Sequence, residues 1–172
     1  YISNGVVSNF IYYSLALAYL SVNRLDEGVS AIRKSLENET DPYKYYECFL
    51  VLSSYAGIND YSYLEKALSL ATEDKSFIYS VAQLYEYNNP ERAQDILEKA
   101  YRRFKDQTSY SRLIEFYSRH KDYDGIVSLI ENRLNQGEKV DEKDRIMVLE
   151  YLYLGGEYER IVSIADYYND VD

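Results

Sequence analysis

Ser109–Leu134 reads SYSRLIEFYSRHKDYDGIVSLIENRL, two amphipathic segments on either side of a polar break. In the first segment Tyr110, Leu113, Ile114 and Tyr117 stand at i, i+3, i+4 and i+7, which is one face of an α-helix. In the second, Ile126, Ile130 and Leu134 recur at every fourth residue, with Leu129 beside them. The stretch Arg119-His120-Lys121-Asp122 between them is wholly polar and marks a tight turn. Neither helix can hide its apolar stripe alone. The two must fold against each other and against neighbouring copies of the same hairpin.

Such copies occur along the chain. Upstream, Tyr12, Leu15, Ala16 and Tyr19 form the same quartet on a helix that Ser8 or Asn9 caps. A partner helix from Asp26 to about Asn38 carries Val29, Ile32 and Leu36, and Gly28 marks a close approach by another helix. Asp41-Pro42 opens a second unit with proline at the first helical position, followed by Tyr45, Cys48, Phe49 and Leu52. Its second half, Leu64 to Ala71, fits the common register only if one residue is deleted from the connection Ala56–Asp60. A third unit has Phe77, Val81 and Leu84, a break at Asn88-Asn89-Pro90, then Ala93, Leu97, Ala100 and Tyr101. The last has Val148, Leu149 and Leu152, a turn at Gly155-Gly156, and Ile161, Ile164 and Ala165. Tyr1–Val7 reads as the end of an earlier element, closed by Asn4-Gly5. Apolar and polar residues nowhere alternate long enough for a strand.

The quartets Tyr12/Leu15/Ala16/Tyr19, Tyr45/Cys48/Phe49/Leu52, Phe77/Ser80/Val81/Leu84, Tyr110/Leu113/Ile114/Tyr117 and Arg145/Val148/Leu149/Leu152 begin 33, 32, 33 and 35 residues apart. Their second-helix partners are Gly28/Ile32, Asp60/Leu64, Ala93/Leu97, Ile126/Ile130 and Ile161/Ala165. In period and pattern this resembles the tetratricopeptide repeat (TPR) family, two helices in about 34 residues. The resemblance covers nearly the whole chain through degenerate motifs: the family's small residue on the first helix survives only as Ala16, replaced elsewhere by Phe49, Val81, Ile114 and Leu149. It implies an all-α fold, a right-handed superhelical stack of about five TPR-like hairpins (an α-solenoid). A single domain over 1–172 would hold repeats at about 9–41, 42–73, 74–106, 107–141 and 142–172.

The resemblance also implies a job. In such stacks the first helices line a concave face that holds an extended peptide or a partner helix. The family's groove positions fall here on Tyr13, Leu17 and Ser21, on Tyr46 and Leu50, and on Ile78, Ala82 and Tyr85. They continue at Ser111, Glu115 and Arg119, and at Ile146, Glu150 and Tyr153. The groove is thus expected to be aromatic and aliphatic at its N-terminal end and polar near Glu115 and Arg119. The family's clamp for acidic chaperone tails needs Lys and Asn where Tyr13 and Leu17 stand, so that activity is not implied. The expected function is a non-enzymatic protein-interaction scaffold. The alternative is an accessory segment of a larger enzyme or envelope machine that positions a catalytic domain or holds a glycan.

Composition narrows the partners. The chain has 172 residues, 47% hydrophobic and 28% charged, with a formal net charge of -10. Its basic residues are interleaved with acids, which argues against tracking a phosphate backbone and so against nucleic acid. It holds 22 Tyr against 5 Phe and no Trp, and a tyrosine can bury its ring while its hydroxyl finds a partner. The lone cysteine, Cys48 in the apolar run CFLVL, reads as a small buried hydrophobe, and the lone histidine, His120, as a solvated turn residue. Acidic pairs such as Asp26-Glu27, Glu73-Asp74 and Asp141-Glu142 sit at helix starts, where they complement the dipole. No catalytic, cofactor or metal residues are assigned. The longest apolar run, Phe10 to Val22, is broken by Ser14 and Ser21, so no membrane insertion is expected. The start at Tyr1 suggests a piece of a longer protein. The lack of an export signal or a disulfide suggests the cytoplasm. Ile164, Ala165, Tyr167 and Tyr168 end the last helix with no polar cap, a surface for self-association.

Overall fold

The computed structural model describes residues 8–138 and 140–169, with side chains through 165, and those residues form ten helices and no strand. They are α1 (Asn9–Ser21), α2 (Leu25–Ser35), α3 (Pro42–Ala56), α4 (Ser62–Leu70) and α5 (Lys75–Asn88). Next come α6 (Pro90–Phe104), α7 (Gln107–His120), α8 (Tyr123–Asn135), α9 (Glu142–Gly155) and α10 (Tyr158–Asn169). The element expected over Tyr1–Val7 lies outside the described residues.

The helices start where local chemistry starts them. Asp41 accepts the Tyr43 backbone N–H at 2.9 Å, ahead of Pro42, whose missing N–H costs the first turn nothing. Asp74 accepts from Phe77 N–H at 3.0 Å and Asp122 from Gly125 N–H at 2.9 Å. At α7, Asp106 accepts the Ser109 N–H while the Ser109 hydroxyl accepts the Asp106 N–H, so two otherwise orphaned donors are satisfied reciprocally. The ends are equally local. Gly57 and Gly156 take the left-handed conformation that closes α3 and α9, and Lys121 takes it after α7.

Two compact units result, Tyr1–Ile96 and Leu97–Asp172. In the N-terminal unit α1 folds back on α2 and α3 on α4, while α3 also touches α1 and α2, and α5 touches α4. In the C-terminal unit α7 pairs with α8 and α9 with α10, and α8 meets α9. Each hairpin buries part of the stripe that its sequence pattern marks, although Leu15 on α1 stays exposed and Leu84 on α5 half-buried. Ile32, Leu52, Leu64 and Val81 have essentially no exposure in the first unit, and Leu113, Ile126, Ile130, Val148 and Leu152 have none in the second.

At Gly28, α2 lies close against Leu20 of α1. A Cβ there would lie 2.5 Å from Leu20 Cδ2 and 2.7 Å from its Cγ, so the close approach expected of this glycine is real. Two details differ from the expected pattern. The α2 helix stops at Ser35 rather than near Asn38, because the chain turns at Leu36 and Asn38 takes a left-handed φ of 61°. The Glu39 carboxylate then accepts the Thr40 and Asp41 backbone N–H groups, at 2.8 and 3.0 Å. At the other end of the chain, Ile164 is buried at 8% exposure, so it offers nothing to a second molecule. The side chains of Tyr167 and Tyr168 lie outside the described residues.

Gly28→Ala tests this packing. Crowding Leu20 costs about 1–3 kcal/mol, and better helix propensity returns about 1 kcal/mol. Net destabilisation of about 1 kcal/mol is expected, read as a lower urea midpoint at unchanged slope.

Candidate partner-binding site

The first-helix positions do not share one fate. On α1, Tyr13 and Leu17 are half-buried and Ser21 is exposed; on α3, Tyr46 is half-buried and Leu50 exposed. α1 and α3 touch, so these residues stand as a strip of first-helix positions on adjoining helices. The Lys44–Glu47 ion pair at 2.9 Å lies within the field of the Tyr13 hydroxyl. Partial burial, with a smaller push from Glu47, raises the Tyr13 pKa above the usual tyrosine value. The Tyr46 ring lies 5.5 Å from that of Phe77, whose other edge meets Tyr43 at 4.7 Å.

On α5 the expectation of an open groove fails. Ile78, Ala82 and Tyr85 are 9%, 2% and 3% exposed. The physical reason is clearest at Tyr85. Its ring stacks on Tyr61 at 4.9 Å, and its hydroxyl donates to Glu65 at 2.6 Å, so the side chain is spent inside the unit. Burial and then the Glu65 carboxylate push its pKa well up.

In the C-terminal unit Ser111 is half-buried, and Glu115 and Arg119 are exposed on α7, with Arg112 3.6 Å from Glu115. Ile146, Glu150 and Tyr153 all stand exposed on α9, and Tyr153 meets Tyr158 edge-on at 5.8 Å. These six residues therefore offer scattered contacts on two helices. Burial pushes the Cys48 thiol up to about 11, and the His120 ring lies 4.4 Å from that of Phe116 between ring centres. Among the described residues no group of three or more His, Cys, Asp or Glu side chains is placed to hold a metal ion. No helix among them is long and apolar enough to cross a membrane.

A polar system between hairpins escaped the sequence reading. Glu65, Glu98 and Glu131 recur at intervals of 33 residues on three successive second helices, and each binds the following hairpin. Glu65 accepts from Tyr85 and, at 2.6 Å, from Arg92; Glu98 accepts from Tyr117 at 3.0 Å; Glu131 accepts from Arg160 at 2.9 Å. Arg92 and Arg160 each directly precede the same motif position, Ala93 and Ile161. The interval was legible; the donors, arriving from 19 to 29 residues away, were not.

No family model matches the chain, and no curated protein matches it. Among solved structures, one titled "Functional Characterization of Pseudomonas Aeruginosa pilF" aligns with 95% of this chain and 76% of its own, at 18% identity and a TM-score of 0.41. A likeness at that level adds nothing to the fold already read from the helices.

Acid should expose the glutamate system. The hydrogen bond from Arg92 is the main influence holding the Glu65 carboxyl below its usual 4.5. A carboxyl depressed in the folded state stabilises it above the unfolded pKa, and that contribution fades as pH falls through the lower, folded value. Wild type is therefore expected to lose thermal stability from about pH 4.5 downward. Glu65→Gln, measured by circular-dichroism melts, should be less stable at pH 7 and show a shallower acid loss.

Proposed function

We propose that this chain is a non-enzymatic helical-repeat scaffold of the tetratricopeptide kind, and that its N-terminal unit holds an extended peptide or a partner helix. The observation that carries this reading is the strip on α1 and α3. Tyr13, Leu17, Tyr46 and Leu50 stand partly open on two adjoining helices, with the Lys44–Glu47 pair alongside. Half-buried tyrosines present large apolar area at low entropic cost and keep a hydroxyl for a polar contact, which suits a binding surface. Ile78, Ala82 and Tyr85 are buried in the packing of α5 and take no part in the strip. The proposal thus narrows from a groove running along the whole chain to a face of one unit. Nucleic acid stays disfavoured by the excess of 29 acidic over 19 basic residues.

Selection of a displayed random-peptide library on the full chain tests it. Recovered peptides should lose at least about tenfold in affinity on Tyr13→Ser/Tyr46→Ser, a drop of about 1.4 kcal/mol or more. The variant's helix signal should stay intact. Undiminished binding by that variant overturns the reading.

A further inference from the structure

A cleft of about 680 Å³ lies in the C-terminal unit among α6, α7 and α8. Its floor is α7, with Leu113 and Tyr117 one turn apart. One wall is the last two turns of α6, with Glu98, Tyr101 and Arg102 followed by Lys105 just past the helix end; the other is α8. On α8 and at its C-cap, Ser128, Asn132 and Gln136 stand four residues apart, all exposed in the lining of the cleft. Among the described residues none of these three side chains makes a hydrogen bond. They are surface groups with free donors and acceptors in a row that winds about 40° per step around the helix.

The spacing of the row suggests what it reads. Four residues of helix rise about 6 Å, and two residues of an extended chain span about 6.8 Å. Side-chain amides at that interval can meet every second peptide group, because each offers both a donor and an acceptor. The row spans about 12 Å, room for about four extended residues. Beside it the half-buried Tyr101 ring offers an apolar seat for one side chain, over a floor of buried Leu113, Tyr117 and Leu129.

Charge selects the occupant. Both carboxylates of the cleft are engaged: Glu98 accepts from the Tyr117 hydroxyl at 3.0 Å, and Glu138 pairs with Arg133 at 2.8 Å. Of the cations, Arg102 reaches Glu98 only at 3.5 Å, and Lys105 has no ion pair among the described residues. In a chain of net charge -10 this cleft therefore carries an unspent positive charge. We infer that the α6–α7–α8 cleft binds a short extended peptide, its backbone along Ser128, Asn132 and Gln136, its apolar side chain against the Tyr101 ring, and an acidic side chain at Arg102 and Lys105.

The test is amide-detected NMR titration of the full chain with acetyl-Glu-Leu-Glu-Leu-amide and its lysine counterpart acetyl-Lys-Leu-Lys-Leu-amide. Saturating shifts of the Asn132 and Gln136 side-chain amides are expected with the acidic peptide, at a Kd on the order of 1 mM or tighter. The lysine peptide should bind at least about fivefold more weakly. Asn132→Ala should weaken the acidic peptide about fivefold, and Lys105→Glu should abolish the preference between the two. Both positions are exposed, so the helix signal stays intact. Tyr13→Ser/Tyr46→Ser should leave this binding unchanged, which separates it from the first-helix reading. Absence of saturation, equal binding of the two peptides, or shifts centred away from α8 overturns the proposal.

Discussion

A tyrosine that slides its ring between two helices must still give its hydroxyl proton an acceptor, and in this chain the acceptor is repeatedly a carboxylate on the adjoining hairpin. Tyr43 donates to Asp74 at 2.7 Å, Tyr85 to Glu65 at 2.6 Å, Tyr110 to Asp144 at 2.8 Å and Tyr117 to Glu98 at 3.0 Å. Each bond joins a first helix to the next or the preceding hairpin within one unit. Bonds to a charged acceptor are short and worth more than neutral ones. A hydroxyl buried without one would cost about 1–3 kcal/mol, enough to cancel much of what its ring gains. The abundance of tyrosine and the surplus of acids are two halves of one device.

That device explains how degenerate motifs still stack. Where the resemblance leads one to expect a small residue on the first helix, Phe49 and Val81 fill the space and are buried, Phe49 against the Tyr61 ring at 5.4 Å. Bulk at that position loosens the constraint that small residues place on how two helices meet. Directional bonds between hairpins restore it. Arg133 shows the same economy, lying 4.1 Å over the Tyr110 ring while it pairs with Glu138.

The helices themselves were plain in the residue pattern. Periodicity, Asp41-Pro42, Asn89-Pro90 and Gly156 carry that information within a few positions of each boundary, and Gly28 marked a real contact. The candidate site was less legible, and the reason is distance along the chain. A groove position on α5 looks the same in sequence whether its side chain faces water or, like Tyr85, a glutamate 20 residues back. The acids read as helix-start decoration, yet Asp74 both caps α5 and receives the Tyr43 hydroxyl. The cleft walls were invisible for the opposite reason. Ser128, Asn132 and Gln136 are ordinary surface residues until α6 and α7 place two more sides around them.

The sole cysteine gains a use from its burial. Cys48 is 1% exposed on α3, with its thiol held protonated at neutral pH, so an alkylating reagent meets an unreactive target while α3 stays docked. Modification then proceeds only through excursions that part α3 from its neighbours, and its rate counts them. The chain thus carries its own clock for breathing of the N-terminal unit, with no engineered label.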